Sequence, residues 1–240
     1  MGVMKENFKR SAHDTTFSPT GLYNFVSGSL LTDSSGAGKN LEESDEPIDD
    51  INYVFGNAEG LSHFSYYRNN SNDFNYTGSV SYCCLVYTTQ QIPNSSNSHA
   101  QLGLCDSNGG GNDMRWGLQI NNEGYFRYGH QNNGNLWIAT AVGKHRAHYE
   151  WNHVAFTRDS NGTTVKLYFN GEEVETNLKK YVSGVWSDIA GPTFDTGPGT
   201  QGTGYYCVGD IESFQNTRTD TVTVTSCAIY DQELSADQIK

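Results

Sequence analysis

Three groups of residues in this chain have the types and spacings to do chemistry. In DSNGGGND, residues 106–113, Asp106, Asn108 and Asp113 sit among glycines. Clustered carboxylate and amide oxygens on a flexible loop are what a hard cation such as calcium takes. The run is like the first half of an EF-hand loop, but Gly117 stands at the twelfth position, where a closing Glu belongs. Asp33, in DSSG, is a second oxygen-rich point. Calcium is thus the expected cofactor, weighed against ordinary Asx turns, which use the same residues. The second group is Trp137, Tyr149 and Trp186, which fall near strand ends or loops. There an aromatic face can stack on a sugar, although core packing is the commoner fate of a Trp. The third group is basic. His145 and His148 lie in KHRAH without a third metal ligand, so a solvated loop is the simpler reading. GAGKN (36–40) has the Gly-Lys of a phosphate loop, but Asp33 stands where its first Gly belongs and Asn40 where Ser or Thr should follow.

The elements that must position these groups are strands. The chain has 240 residues, 35% hydrophobic and 12% aromatic, with 15 Tyr and 11 Phe. A modest apolar fraction built from large rings still buries a core. In SVSYCCLVYTT, Val80, Tyr82, Cys84 and Val86 lie on one face and Cys83, Leu85 and Tyr87 on the other, so both faces are expected to be partly buried. RWGLQINNEGYFRYGH reads as a hairpin, and NLWIATAV (135–142) as a further strand. The stretch 151–177 reads as a three-stranded meander: Val154 and Phe156 alternate, Asp159–Gly162 turns, Val165, Leu167 and Phe169 alternate, and Asn170-Gly171 makes a two-residue turn. YYCVGD (205–210) and TVTVTSCAIYD (221–231) are strand-like. In LSADQIK, Ser235 and Gln238 fit a capping box, with Leu234 and Ile239 as its staple. Stretches 88–99, 106–114 and 187–204 are expected to be irregular surface loops, with DTGPGTQGTG (195–204) mobile.

Bulk properties exclude several partners. Net charge is −12, with 27 acidic against 15 Lys and Arg residues. Nucleic acid and anionic membranes are read through Lys and Arg, so neither is expected. No run is long and apolar enough for membrane insertion, and MGVMKENFKRSAHD has no apolar leader segment. Cys83, Cys84, Cys105, Cys207 and Cys227 are odd in number and lack a repeated C-x-x-C. They read as buried free thiols of a chain made in a reducing compartment.

Trp151, His153, Val154, Ala155, Thr157, Asp159, Gly162, Val165, Leu167, Tyr168, Asn170 and Gly171 form W-x-H-V-A-x-T, D-x-x-G and V-x-L-Y-x-N-G blocks. The pattern resembles the signature of the laminin G-like, concanavalin A-like jelly-roll superfamily. LYNFVSGSLLTDSSGAGKNL is similar to that family's opening strand and AIYDQELSADQIK to its closing strand and turn. The resemblance implies that His153 belongs to the fold signature. It also implies a calcium in many members, and functions ranging from lectins and adhesion modules to glucan hydrolases and surface modules of phages and large viruses. The hydrolases use E-x-D-x-x-E on one strand, with two carboxylates facing one cleft. Glu43-Ser44-Asp45 begins like it, but Ile48 replaces the third carboxylate, and no Asp completes Glu172, Glu173 and Glu175. No catalytic residue is assigned.

The expectation is therefore an N-terminal arm, 1–20, and one all-β domain, 21–240. The domain is an antiparallel β-sandwich jelly roll of two packed sheets with a short C-terminal helical turn. Its expected role is non-enzymatic recognition or structural display on a phage or virus particle, as a capsid decoration, spike or fibre module. Its partners would be other virion structural proteins or cell-surface glycans, in a state compatible with a homo-oligomer. The alternative is a secreted, extracellular carbohydrate-binding or adhesion domain; a glucan hydrolase is third.

Overall fold

Strand-forming runs separated by Asn-, Ser- and Gly-containing turns fold into two antiparallel sheets packed face to face. The computed structural model describes residues 18–24, 32–43, 54–55, 66–69, 72–88, 100–107, 114–121, 124–143, 150–200, 204–209 and 222–240. The strands are β1 (Gly21–Asn24), β2 (Glu42–Glu43), β3 (Val54–Phe55), β4 (Tyr66–Asn69), β5 (Val80–Thr88), β6 (Ala100–Ser107), β7 (Trp116–Ile120) and β8 (Phe126–Asn132). They continue as β9 (Asn135–Ala141), β10 (Trp151–Arg158), β11 (Val165–Phe169), β12 (Glu172–Val174), β13 (Thr176–Val182), β14 (Val185–Asp188), β15 (Gly204–Gly209) and β16 (Val222–Tyr230). A helical turn, α1 (Ala236–Ile239), follows. The seven-stranded sheet runs β1-β16-β5-β10-β11-β12, with β3 also on β16; the nine-stranded sheet runs β14-β13-β9-β8-β7-β6-β15-β4-β2.

Three hairpins turn on two residues with positive φ: Asn133-Gly134, Asn170-Gly171 and Ser183-Gly184. Such turns match the right-handed twist of the paired strands, and Asn and Gly tolerate the left-handed backbone best. The expected meander forms, but its third strand ends at Val174. The chain then leaves for the other sheet, where β13 pairs β9 and β14. Period-2 patterning runs on through such a crossing, because it records which face is buried and not which sheet the strand has joined.

The core between the sheets is aromatic. Tyr82, Trp116, Phe156, Tyr128 and Tyr206 are fully buried, with Trp116 5.4 Å from Tyr82 and 5.7 Å from Phe156 between ring centroids. Buried Tyr and Trp need partners for their polar ends. Tyr82 Oη donates to Leu102 O at 2.7 Å, Tyr23 Oη to Lys39 O at 2.6 Å, and Trp116 Nε1 to Phe74 O at 3.1 Å. Gly103 lies under the Tyr82 ring, where a Cβ would come within 2.4 Å of Cζ.

At its centre the seven-stranded sheet is buried on both faces, as the β5 pattern implies. Val80, Tyr82, Cys84 and Val86 point into the main core. Cys83 and Leu85 point outward, into a second cluster with Leu22, Tyr168, Leu234 and Ile239. The chain's final segment closes this face: Gln238 Oε1 accepts from Ser235 N at 2.7 Å, and Leu234 and Ile239 are buried. Cys83, Cys84, Cys105 and Cys227 are buried and in no disulfide.

Residues 195–200 depart from the mobile loop expected of 195–204. His130 Nε2 donates to Thr196 O at 3.1 Å, Asn132 Nδ2 to Gly197 O at 3.0 Å and Gly199 N to Gln131 O at 2.9 Å. Phe194, 3% exposed, anchors the segment in the core. Its glycines serve close packing against β8 and the 159–164 turn: a Cβ on Gly197 would lie 2.8 Å from Asn161 O.

Candidate functional site

Strand alternation gives the nine-stranded sheet an inner face of large apolar groups and an outer face of a different chemistry. On β8, Phe126, Tyr128 and His130 are buried inward, which turns Arg127 outward. On β9, Trp137, Ala139 and Ala141 join the core, leaving Ile138 and Thr140 on the outer face. On β13, Leu178 points in and Asn177 and Lys179 point out. Register then aligns these groups across strands. Gln119, Arg127, Thr140 and Asn177 form one row through β7, β8, β9 and β13. Gly129, Ile138, Lys179 and Asp188 form the next, and Tyr181 sits opposite Trp186 in the third.

From these rows Arg127, Thr140, Asn177, Ile138 and Lys179 line an open groove of about 600 Å³. Tyr125 and Asn121, at the β7–β8 connection, contribute to its lining, as does Trp186 on edge strand β14. Asn121 Oδ1 accepts from Tyr125 N at 2.8 Å, an Asx-type bond that fixes this connection. Trp186 is 51% exposed and Tyr181 37%, their rings 5.2 Å apart. An exposed indole is the uncommon arrangement, because Trp usually packs inside.

The groove is cationic within an acidic protein. Arg127 is half-buried and donates from Nε to Gln119 Oε1 at 2.6 Å. Burial pushes its pKa down to about 10, so it stays charged at neutral pH. Lys179 Nζ lies 3.5 Å from Asp188 Oδ1, both well exposed. No Asp or Glu lines the groove among the described residues.

Of the residues singled out by sequence, Trp186 stands at this groove. Trp137 lies on the opposite face of β9, 6% exposed, stacked on His130 with centroids 5.6 Å apart. It is a core residue, and its Nε1 donates to Asp195 Oδ1 at 2.6 Å. Lys180 holds the other Asp195 oxygen, which helps keep that carboxyl below its usual range. Tyr149 lies outside the described residues, as do Asn108 and Asp113, while Asp106 is described only through its backbone, paired with Tyr205.

Asp33 is occupied by the protein itself. Its Oδ1 accepts from Leu22 N at 3.0 Å and Ser35 N at 2.9 Å, and its Oδ2 from Lys39 N at 3.0 Å. Burial acts to raise its pKa, but bonds from the Ser35 side chain and these amides outweigh that and hold the carboxyl low. With its lone pairs engaged, Asp33 acts as the staple between β1 and the 34–40 turn, and does not fit a calcium ligand. No group of three or more His, Cys, Asp or Glu suited to a metal occurs among the described residues.

Arg127, Thr140, Asn177 and Lys179 are the groove residues that sequence reasoning passed over. Their signal is the outward half of each alternation. The β13–β14 hairpin carried one too, in YVSGVW, where Ser-Gly is flanked by strand formers.

The chain belongs to the concanavalin A-like lectin/glucanases superfamily, whose family model matches residues 61–240. Among solved structures it is similar to the receptor-binding domain of botulinum neurotoxin C/D mosaic serotype, with TM-score 0.60 and 19% identity, covering 92% of this chain and 50% of that one. It is also similar to the binding domain of botulinum neurotoxin DC in complex with rat synaptotagmin II, with TM-score 0.58, 15% identity and coverage of 92% and 50%. A third is a structure of botulinum neurotoxin type C, whose cell entry depends on two ganglioside molecules, with TM-score 0.58, 16% identity and coverage of 92% and 50%. At these identities the likeness is one of fold, and the chain spans about half the length of those structures. No curated protein sequence matches the chain.

Proposed function

We propose that this protein is a non-enzymatic carbohydrate-recognition module, and that the groove on the outer face of the nine-stranded sheet receives the sugar. The observation that carries the reading is half-exposed Trp186 beside the aligned polar row Arg127, Thr140 and Asn177. A sugar presents an apolar ring face to an aromatic platform and hydroxyls to amide, hydroxyl and guanidinium groups. The structural neighbours include receptor-binding domains, one tied to gangliosides and one to synaptotagmin, which supports a recognition role. Glycoside hydrolysis by paired carboxylates has no such pair in the described groove lining.

A glycan array followed by calorimetry tests the reading, and Trp186→Ala should weaken the best ligand about tenfold or more. Trp186 is exposed, so the variant's melting temperature should stay close to wild type. Absence of any glycan binding by the wild type overturns the reading, and release of reducing ends from β-glucans overturns its non-enzymatic part. Running the array with and without a chelator tests calcium, for which the 106–113 oxygens are the remaining candidates.

Display on a phage or virus particle is the finer reading of where the module works. The buried thiols Cys83, Cys84 and Cys227, in no disulfide, support it, since they suit folding in a reducing compartment before assembly. Immunogold labelling of purified particles should decorate their surface; labelling confined to the secreted fraction favours the extracellular alternative.

A further inference from the structure

Arg127 is poorly explained as a component of a groove for neutral sugars. Its neighbours in sequence, Phe126 and Tyr128, are buried on the inner face, which fixes the guanidinium on the outer one. Among the described residues its hydrogen-bond partner is Gln119 Oε1, which accepts from Nε, and Gln119 is itself 4% exposed. Among the described residues no carboxylate pairs with Arg127, whereas its neighbour Lys179 has Asp188. Taking a guanidinium out of water costs free energy that one neutral hydrogen bond offsets only in part. The partial loss of hydration already lowers its affinity for its proton. The planar fork left at Nη1 and Nη2 matches a carboxylate bidentately, in a way a lysine does not.

We propose, building on the carbohydrate reading above, that the sugar this groove selects carries a carboxylate, seated on Arg127. Thr140 and Asn177 follow Arg127 in the same cross-strand row and supply a hydroxyl and an amide to the ring hydroxyls. Trp186 stacks on an apolar ring face at the sheet edge. The ligand class is an acidic saccharide, whether a sialic acid or a hexuronic acid. Selection is local: the net charge of −12 repels anions at a distance, so discrimination must come from the contact itself.

Calorimetry on the full chain separates the possibilities. The probes are 3′-sialyllactose against lactose, and digalacturonic acid against its methyl ester. The wild type should bind one of the acids about tenfold or more tightly than its neutral counterpart, the range a charge-assisted bond supplies; which acid wins identifies the source of the carboxylate. Arg127→Gln should bring that ratio to about one, Arg127→Lys should restore it only in part, and Lys166→Gln, on the other sheet and outside the groove, should leave it intact. Equal binding of acid and neutral probes by the wild type overturns the carboxylate assignment while leaving the carbohydrate reading standing. So does a preference that survives in folded Arg127→Gln. If the preference is lost in Lys166→Gln, the assignment to Arg127 fails, and this arm holds even should Arg127→Gln not fold. Binding of no probe by the wild type, with none on the array, overturns both readings together.

Discussion

Arg158 shows how single polar side chains hold this sandwich together. It is fully buried and donates to Gly78 O, Arg115 O, Tyr76 O and the Tyr128 hydroxyl, tying three separate segments to the end of β10. Replacing it with Met would strand those buried acceptors, each costing about 1–3 kcal/mol. Arg158→Met should therefore lose on the order of 3 kcal/mol or more in urea denaturation, and Arg158→Lys should recover only part, because an ammonium cannot span the same fork. His130 acts in the opposite sense. Burial, with Arg158 nearby, pushes its pKa down to about 3, and burial alone pushes that of His153 to about 4. Both are neutral in the fold and titrate near 6.5 when unfolded. Their contribution is fully present above about pH 6.5 and is lost as pH falls through the window toward 4 and then 3, at about 1.4 kcal/mol per pH unit for each group. Urea midpoints should drop between pH 7 and pH 5, and His130→Phe should shallow that slope by about one proton.

Elements differ in how openly the sequence declares them. β5, the β7–β8 hairpin, β9 and the β10–β11–β12 meander were legible because alternation and Asn-Gly turns are local signals. The β13–β14 hairpin was not read, since the chain changes sheets at Glu175 without a break in pattern. The groove was legible only through Trp186. Its remaining residues become a site when register places Arg127, Thr140 and Asn177 side by side, and pairing between strands is not written in any one of them. Trp137 shows the same limit from the other side, since a one-residue shift in facing separates a core indole from an exposed platform. Helical turn α1 carries a prediction of its own. Ile239 is 2% exposed against the outer face of the seven-stranded sheet. Ile239→Ala should cost about 2–4 kcal/mol, measured by chemical denaturation, with sugar binding on the far sheet unchanged.

The whole molecule is asymmetric. One sheet carries a second apolar cluster on its outer face, capped by Leu234 and Ile239, while the other leaves its outer face as an open groove of mixed polar and apolar lining with Trp186 at the edge. The chain is acidic overall, and the groove, lined by Arg127 and Lys179 without a carboxylate among the described residues, departs from that balance through strand register.

The distribution of the four tryptophans makes the protein its own optical reporter. Trp116 and Trp137 are sealed in the core, Trp151 is half-buried against Tyr87, and Trp186 alone is mostly open to water. A dissolved quencher such as iodide should therefore extinguish chiefly the red-edge emission of one indole. Saccharide seated in the groove should shift that component to the blue and shield it from iodide. Trp186→Phe should remove both responses while the core emission stays, so occupancy can be followed by light without any label.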